Sequence, residues 1–249
     1  MAIKWVVSDV DGCLTSEASV AFDLAPLGRL AAMARTPGAM PPMTLCTGRP
    51  QPYVEALLKY LGIMAPAICE NGAVIYSLAD NTARYGPGVT PENLRDLRIA
   101  RGFLEDELLP RHPGVVMQFG KEAQLSAFSA NAELLPPVAR ELTEWVERRG
   151  LHPLDIKASH FYLNVSMEGV TKGSALAWLL EHELHASREE VAGIGDTTGD
   201  VPLREASGFF ACPANAQEEL KPLADYVSPH AEIDGVMDIL AYIQARGRD

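Results

Sequence analysis

Ile3-Lys4-Trp5-Val6-Val7-Ser8-Asp9-Val10-Asp11-Gly12-Cys13-Leu14-Thr15 is the stretch on which the fold turns. From Ile3 to Val10 it is rich in β-branched residues and apolar on both faces. That pattern belongs to a central parallel strand covered by helices on either side. The strand runs straight into a pair of aspartates. Open α/β sheets place ligands beyond the carboxyl ends of their strands, so a carboxylate-rich turn here marks a candidate site.

Working outward, the spacing predicts a helix from near Pro26 to Arg35 and a short strand, Met43 to Cys46, leading into Thr47-Gly48-Arg49. Pro50 and Pro52 suit the first turn of a helix that carries Val54, Leu57, Leu58 and Leu61 on one face. Ala67 to Cys69 reads as a third strand, followed by Glu70-Asn71-Gly72 and an extended piece at Val74 to Tyr76. Strand and helix in alternation imply an α/β fold with a doubly wound, Rossmann-like, mainly parallel sheet.

The pattern changes after about residue 82. A long amphipathic helix, Pro91 to Leu109, precedes two strand-like runs, Val115 to Phe119 and Gln124 to Ser129. A second helix, Leu134 to Arg149, precedes two more, near Leu154 to Lys157 and Phe161 to Ser166. This αββαββ order describes an inserted α+β cap with a largely antiparallel sheet. Alternation resumes after Gly169, with a helix from Lys172 capped by Thr171, strands at Val191 to Gly195, Phe209 to Cys212 and Asp225 to Ser228, and a closing helix near Ile233 to Ala245. The expected domains are a discontinuous core, 1–82 with 169–249, and a cap at 83–168 placed over the strand ends.

The bulk properties narrow the function. A net charge of −12 over 249 residues disfavours nucleic acid and anionic membrane surfaces as partners and leaves a small molecule. Cys13, Cys46, Cys69 and Cys212 form no CxxC pair and read as small core residues, and the six histidines are scattered, which argues against structural zinc. The amino-terminal apolar run is too short for a signal peptide and no stretch reaches membrane-spanning length, so a cytoplasmic protein is expected, as a monomer or small homo-oligomer.

Asp9 and Asp11, two residues apart in an extended segment, are expected to converge beyond the strand end, where a cation or a shared proton would relieve their repulsion. An oxygen-rich site of this kind favours Mg2+. Gly195-Asp196-Thr197-Thr198-Gly199-Asp200 follows another β-rich strand and brings further carboxylates to the same edge, with Asp196 as the preferred metal ligand and Asp200 as an indirect contributor or helix cap. Thr47 and the amide of Gly48 can donate to phosphate oxygens, and Lys172 at its helix start can neutralise developing charge.

In this order along the chain, the pieces resemble the haloacid dehalogenase superfamily of phosphatases. Its first motif is matched by Asp9 to Thr15, its second by Thr47, its third by Lys172 and its fourth by Asp196 and Asp200. Thr47-Gly48-Arg49, Glu70-Asn71-Gly72-Ala73 and Gly169-Val170-Thr171-Lys172-Gly173-Ser174-Ala175-Leu176 look like the subfamily with a type II cap, including Cof-like, sucrose-phosphate and mannosylphosphoglycerate phosphatases. Many of those relatives carry Asn where this chain has Gly199.

The resemblance implies hydrolysis of a small phosphorylated metabolite, a sugar phosphate, phosphoglycolate or a phosphoglycerate type, through an aspartyl phosphate on Asp9. It makes Asp11 the acid and base, and gives Mg2+ to Asp9, the Asp11 carbonyl and Asp196, with Asp200 behind them. Thr47, Gly48, Arg49, Lys172 and Asn215 fall on the phosphate and substrate side, and Lys157, His160 and Tyr162 near the last cap strand are candidate selectors. Two alternatives stay open: a phosphomannomutase-like transfer between sugar positions, and a non-catalytic phospho-switch of the response-regulator type.

Overall fold

The computed structural model describes residues 2–16, 20–159 and 161–247, and His160 lies outside the described residues. In chain order the first elements are β1 (Trp5–Ser8), α1 (Leu24–Arg35), β2 (Met43–Leu45), α2 (Gln51–Leu61), β3 (Ala67–Cys69), β4 (Val74–Ser77) and β5 (Thr82–Tyr85). Then come α3 (Pro91–Phe103), β6 (Val116–Met117), β7 (Leu125–Phe128), α4 (Leu135–Arg149), β8 (Leu154–Ala158) and β9 (Tyr162–Met167). The chain finishes with α5 (Lys172–Leu179), β10 (Val191–Ile194), α6 (Val201–Glu205), β11 (Phe209–Cys212), β12 (Tyr226–Val227) and α7 (Glu232–Arg246). Two compact units result, Met1–Arg84 with Thr171–Asp249, and Tyr85–Val170.

The first unit is built on a five-stranded sheet of order β12-β11-β10-β1-β2, parallel at every pairing. Val6, Val7 and Ser8 of β1 are fully buried, as a central strand covered on both faces requires. β1 has β2 on one side and β10 on the other, so the carboxyl ends of β1, β2, β10 and β11 share one edge. The connection reverses direction there, and ligands of open α/β sheets bind at that kind of point. The helical layers are held by apolar faces; α2, for example, buries Val54, Leu57, Leu58 and Leu61 and stops at Gly62, whose left-handed φ of 76° lets its N–H return to Leu58 O.

Ala67–Cys69 departs from the expectation that it extends the parallel sheet. It pairs antiparallel with β4 in a separate three-stranded sheet, β3-β4-β5, and touches the parallel sheet through the single bridge Cys46↔Ile68. The reason is the connection: Glu70–Gly72 is one tight turn, too short for the crossover that a parallel neighbour needs. β5 escapes sequence reading because all four of its residues are exposed, leaving no alternation to detect.

The second unit has the order α3-β6-β7-α4-β8-β9 and one antiparallel sheet, β6-β7-β9-β8. α4 buries Leu135, Val138, Leu142 and Val146 along one stripe, and Trp145 stacks on Phe103 of α3 at 4.2 Å. The helix expected to reach Leu109 is α-helical only to Phe103. It then widens, with Leu109 N–H donating to Leu104 O, because Pro110 offers no N–H to continue the regular ladder. The strand expected over Val115 to Phe119 shrinks to the two residues that pair with β7, and Phe119 is left exposed. No helix among the described residues is long and apolar enough to cross a membrane.

One buried carboxylate fastens α3 to the start of the β8 segment. Asp96 Oδ2 accepts from the His152 N–H at 3.0 Å and meets His152 Nδ1 at 2.6 Å, while Oδ1 accepts from Arg95 Nε at 3.1 Å. The hydrogen bonds from His152 hold the Asp96 carboxyl down to about 2. Asp96→Ala is expected to destabilise the protein by about 1.5–3 kcal/mol at neutral pH, the usual worth of hydrogen bonds to a charged group. Because the folded carboxyl is more acidic than the unfolded one, this stabilisation is present above the ordinary carboxylate range and is lost as pH falls toward about 2. Urea titrations of parent and variant across that interval should show the difference closing.

Candidate active site

Asp9 follows β1, Asp196 follows β10, and Lys172 is the first residue of α5. Thr171 caps that helix, its hydroxyl accepting from Ser174 N–H while Ser174 Oγ accepts from Thr171 N–H. The cap fixes the helix start and with it the lysine. Lys172 Nζ lies 3.0 Å from Asp9 Oδ1 and 2.6 Å from Asp200 Oδ1, and all three side chains are buried.

Asp200 is not idle on its other oxygen. Oδ2 accepts from the N–H groups of Asp196 and Thr197, both at 3.1 Å, so one carboxylate shapes the turn that presents Asp196 and orients the ammonium. The chain comes in tightly around Asp196: Gly12 has φ 74°, and a Cβ there would fall 1.9 Å from Asp196 Oδ2. Only glycine fits that backbone conformation and that space.

Asp9, Asp196 and Asp200 each offer a carboxylate oxygen within 4.8 Å of the others, and all three residues are buried. Three carboxylates face one ammonium. Burial, with repulsion from Asp200, pushes the Asp9 carboxyl up to about 7 although Lys172 pulls it down. Burial alone would lower the Lys172 pKa, but attraction from Asp200 and Asp9 outweighs it and raises it well above the usual lysine range. A hard oxygen set with excess negative charge fits a divalent cation such as Mg2+.

Asp11 takes a different place from the one its spacing suggests. The strand stops at Ser8, and Val10 O accepts from the N–H groups of Cys13, Leu14 and Thr15, which coils the chain and ends the alternation of faces. The Asp11 carboxylate is instead gripped by Arg49, whose Nε and Nη2 donate to its two oxygens at 2.7 and 2.6 Å. This fork-to-carboxylate geometry is the strong form of the pair. Arg49 also stacks over the Tyr53 ring, 5.0 Å from its centre.

Thr47 is buried, with its N–H donating to Ile68 O and its Oγ1 accepting from Arg49 N–H, so its hydroxyl proton is still available. Gly48 sits half-buried beside it. Asn215 combines both readings of its position: Nδ2 donates to Gly12 O at 2.8 Å, and Oδ1 accepts from Glu232 N–H at 2.7 Å at the start of α7. Lys157 lies in the second unit on β8, exposed and paired with Asp155, and Tyr162 packs on Phe128.

Gln217 was not legible. Its backbone N–H donates to Asp196 O at 2.8 Å and its side chain accepts from Thr198 N–H at 2.9 Å, bracketing the acidic turn from outside. A lone glutamine carries no spacing signal that would single it out.

A family model described as haloacid dehalogenase-like hydrolase matches residues 6–97 and 138–240. A phosphoglycolate phosphatase of Archaeoglobus fulgidus is 30% identical over 81% of this chain and 82% of its own length. One from Methanosarcina acetivorans is 25% identical over 99% of both chains. The crystal structure of Thermoplasma acidophilum 0175 superposes with a TM-score of 0.76 over 98% of this chain and 99% of its own, at 22% identity. This chain therefore belongs to the haloacid dehalogenase-like hydrolases, and its fold is that of the phosphatases that carry a type II cap.

Proposed function

We propose that this protein is a Mg2+-dependent phosphomonoesterase whose substrate is a small phosphorylated hydroxy acid, phosphoglycolate foremost. The observation that carries the chemistry is the buried Asp9–Lys172–Asp200 arrangement beside Asp196. The substrate reading rests on the curated relatives that bear the name phosphoglycolate phosphatase and match this chain over most of its length.

Asp9 is the nucleophile. A carboxylate oxygen attacks phosphorus, the bond to the leaving oxygen breaks, and an aspartyl phosphate forms. Lys172 lies against Asp9 and neutralises part of the charge shared by nucleophile and phosphoryl group, and Asp200 keeps the ammonium aimed. Thr47 Oγ1 and the Gly48 N–H hold the phosphoryl oxygens.

Asp11, protonated once its pair with Arg49 opens, supplies the proton to the departing alkoxide and later takes one from the water that hydrolyses the intermediate. Its grip by Arg49 orients the carboxylate. Asp9 and Asp196, with the Asp11 carbonyl, would hold the Mg2+, and Asp200 acts through Lys172 and the acidic turn. When bound, the cation supplies the positive charge that lets Asp9 remain ionised and lets an anion approach.

Asp9→Asn is expected to lower kcat by at least about a thousandfold with the fold intact, as removal of a covalent nucleophile does. Circular dichroism and single-turnover phosphate release together check this, and a variant that still turns over at the parent rate removes Asp9 from the chemistry. Chelation should abolish activity and added Mg2+ restore it, while Asp196→Asn should raise the Mg2+ concentration needed for half-maximal rate by about tenfold or more. Inorganic phosphate release across a panel of phosphomonoesters should be fastest for phosphoglycolate. Greater efficiency with hexose phosphates would replace the hydroxy-acid assignment, and transfer without phosphate release would point to a mutase.

A further inference from the structure

Glu70, Asn71 and Gly72 occupy the left-handed region in succession, with φ of 50°, 55° and 109°. The other non-glycine residues in that region, Asn81, His185 and Glu232, stand singly among the described residues. Such a run persists only where the surroundings impose it, and such runs gather at functional sites.

The constraints come from both sides of the site. Glu70 N–H donates to Arg49 O at 3.1 Å and Asn71 N–H to Thr47 O at 3.0 Å, so the turn is stitched to Thr47-Gly48-Arg49. Gly72 presses on the segment that starts α5: a Cβ there would lie 2.2 Å from Thr171 O, one residue before Lys172. The turn is a wedge between these two site-bearing segments.

Its central side chain faces the first of them. The Asn71 carboxamide is half-buried and makes no hydrogen bond among the described residues. It lies against Gly48, where a built Cβ would be 3.1 Å from Asn71 Nδ2 and 3.2 Å from Oδ1. A side chain at position 48 would press on the carboxamide by only a few tenths of an ångström, so the two groups are in close contact. The strained turn therefore places an amide with unspent donors beside Thr47 and Gly48.

We propose that Asn71 is a substrate-contacting residue whose Nδ2 donates a hydrogen bond to a phosphoryl oxygen of the phosphomonoester, alongside Thr47 and Gly48. This rests on the phosphatase reading of the same site. No bond is made or broken by Asn71; it strengthens the hold on the dianion that substrate and product phosphate share, so its loss weakens both alike.

The test uses the full chain with Mg2+ and two substitutions. Asn71→Gly keeps the left-handed turn and deletes the carboxamide, while Asn71→Asp keeps the side-chain shape, removes the donors and adds a negative charge. Calorimetric titration with inorganic phosphate, KM and kcat for a phosphomonoester, and thermal midpoints are measured for parent and variants. The expected result is a parallel rise of phosphate Kd and of KM by about tenfold or more in Asn71→Gly, larger in Asn71→Asp, with little change in thermal midpoint. Phosphate binding as tight in both variants as in the parent overturns the assignment, whatever happens to kcat, since that would leave Asn71 a spacer for the turn. A parent that binds no phosphate overturns it too. A parent that binds phosphate but turns over no phosphomonoester sinks the hydrolase reading alone, and the comparison of Kd values still decides the role of Asn71.

Discussion

The structure depends on one buried ammonium. Lys172 sits between Asp9 and Asp200 where water is excluded, and without its charge three carboxylates would crowd a space that solvent cannot screen. The contact joins three separately built parts: the end of β1, the start of α5 and the turn after β10. Each brings its own local device, a glycine turn at Gly12, a reciprocal cap at Thr171, and a carboxylate folded back on its own turn at Asp200. The ion pairs are meaningful because those devices fix the geometry before the charges meet. A buried pair held loosely would cost more in lost hydration than it returned.

How much of this could be read from the chain follows from where each signal resides. β1 and β10 were legible because a strand buried on both faces writes a continuous apolar run, and the aspartates follow directly from those runs. Lys172 was legible through its cap, since Thr171 announces a helix start. Asp11 was placed less well because the extended geometry assumed for it ends at Ser8, and the coiling around Val10 O is a property of backbone hydrogen bonds that alternation cannot show. β3 reads as an apolar strand in either sheet, and only the length of the turn after it decides its partner. The wedge at Glu70–Gly72 was visible as words but not as a shape, for its left-handed run is imposed from outside by Arg49, Thr47 and Thr171.

The site also separates two kinds of contribution. Asp9, Asp200 and Lys172 act on one another through charge: burial raises the Asp9 carboxyl, Lys172 pulls it down and Asp200 pushes it up. Asn215 and Gln217 act through neutral hydrogen bonds that tie Gly12 to α7 and Asp196 to Thr198. The first group determines what reaction is possible, and the second how firmly the loops are held while it proceeds.

The central pairing of the parallel sheet has a consequence for how the molecule is made. Trp5 lies beside Val191 and Ser8 beside Ile194, so β1 waits for its inner neighbour until the whole second unit between them has left the ribosome. The second unit is by then complete, and it is one continuous segment, so it is free to fold first. During that interval β1 has only β2 for company, and one of its hydrogen-bonding edges stays open in an apolar segment. Synthesis of this protein therefore carries a window of nascent-chain vulnerability that closes only when β10 arrives.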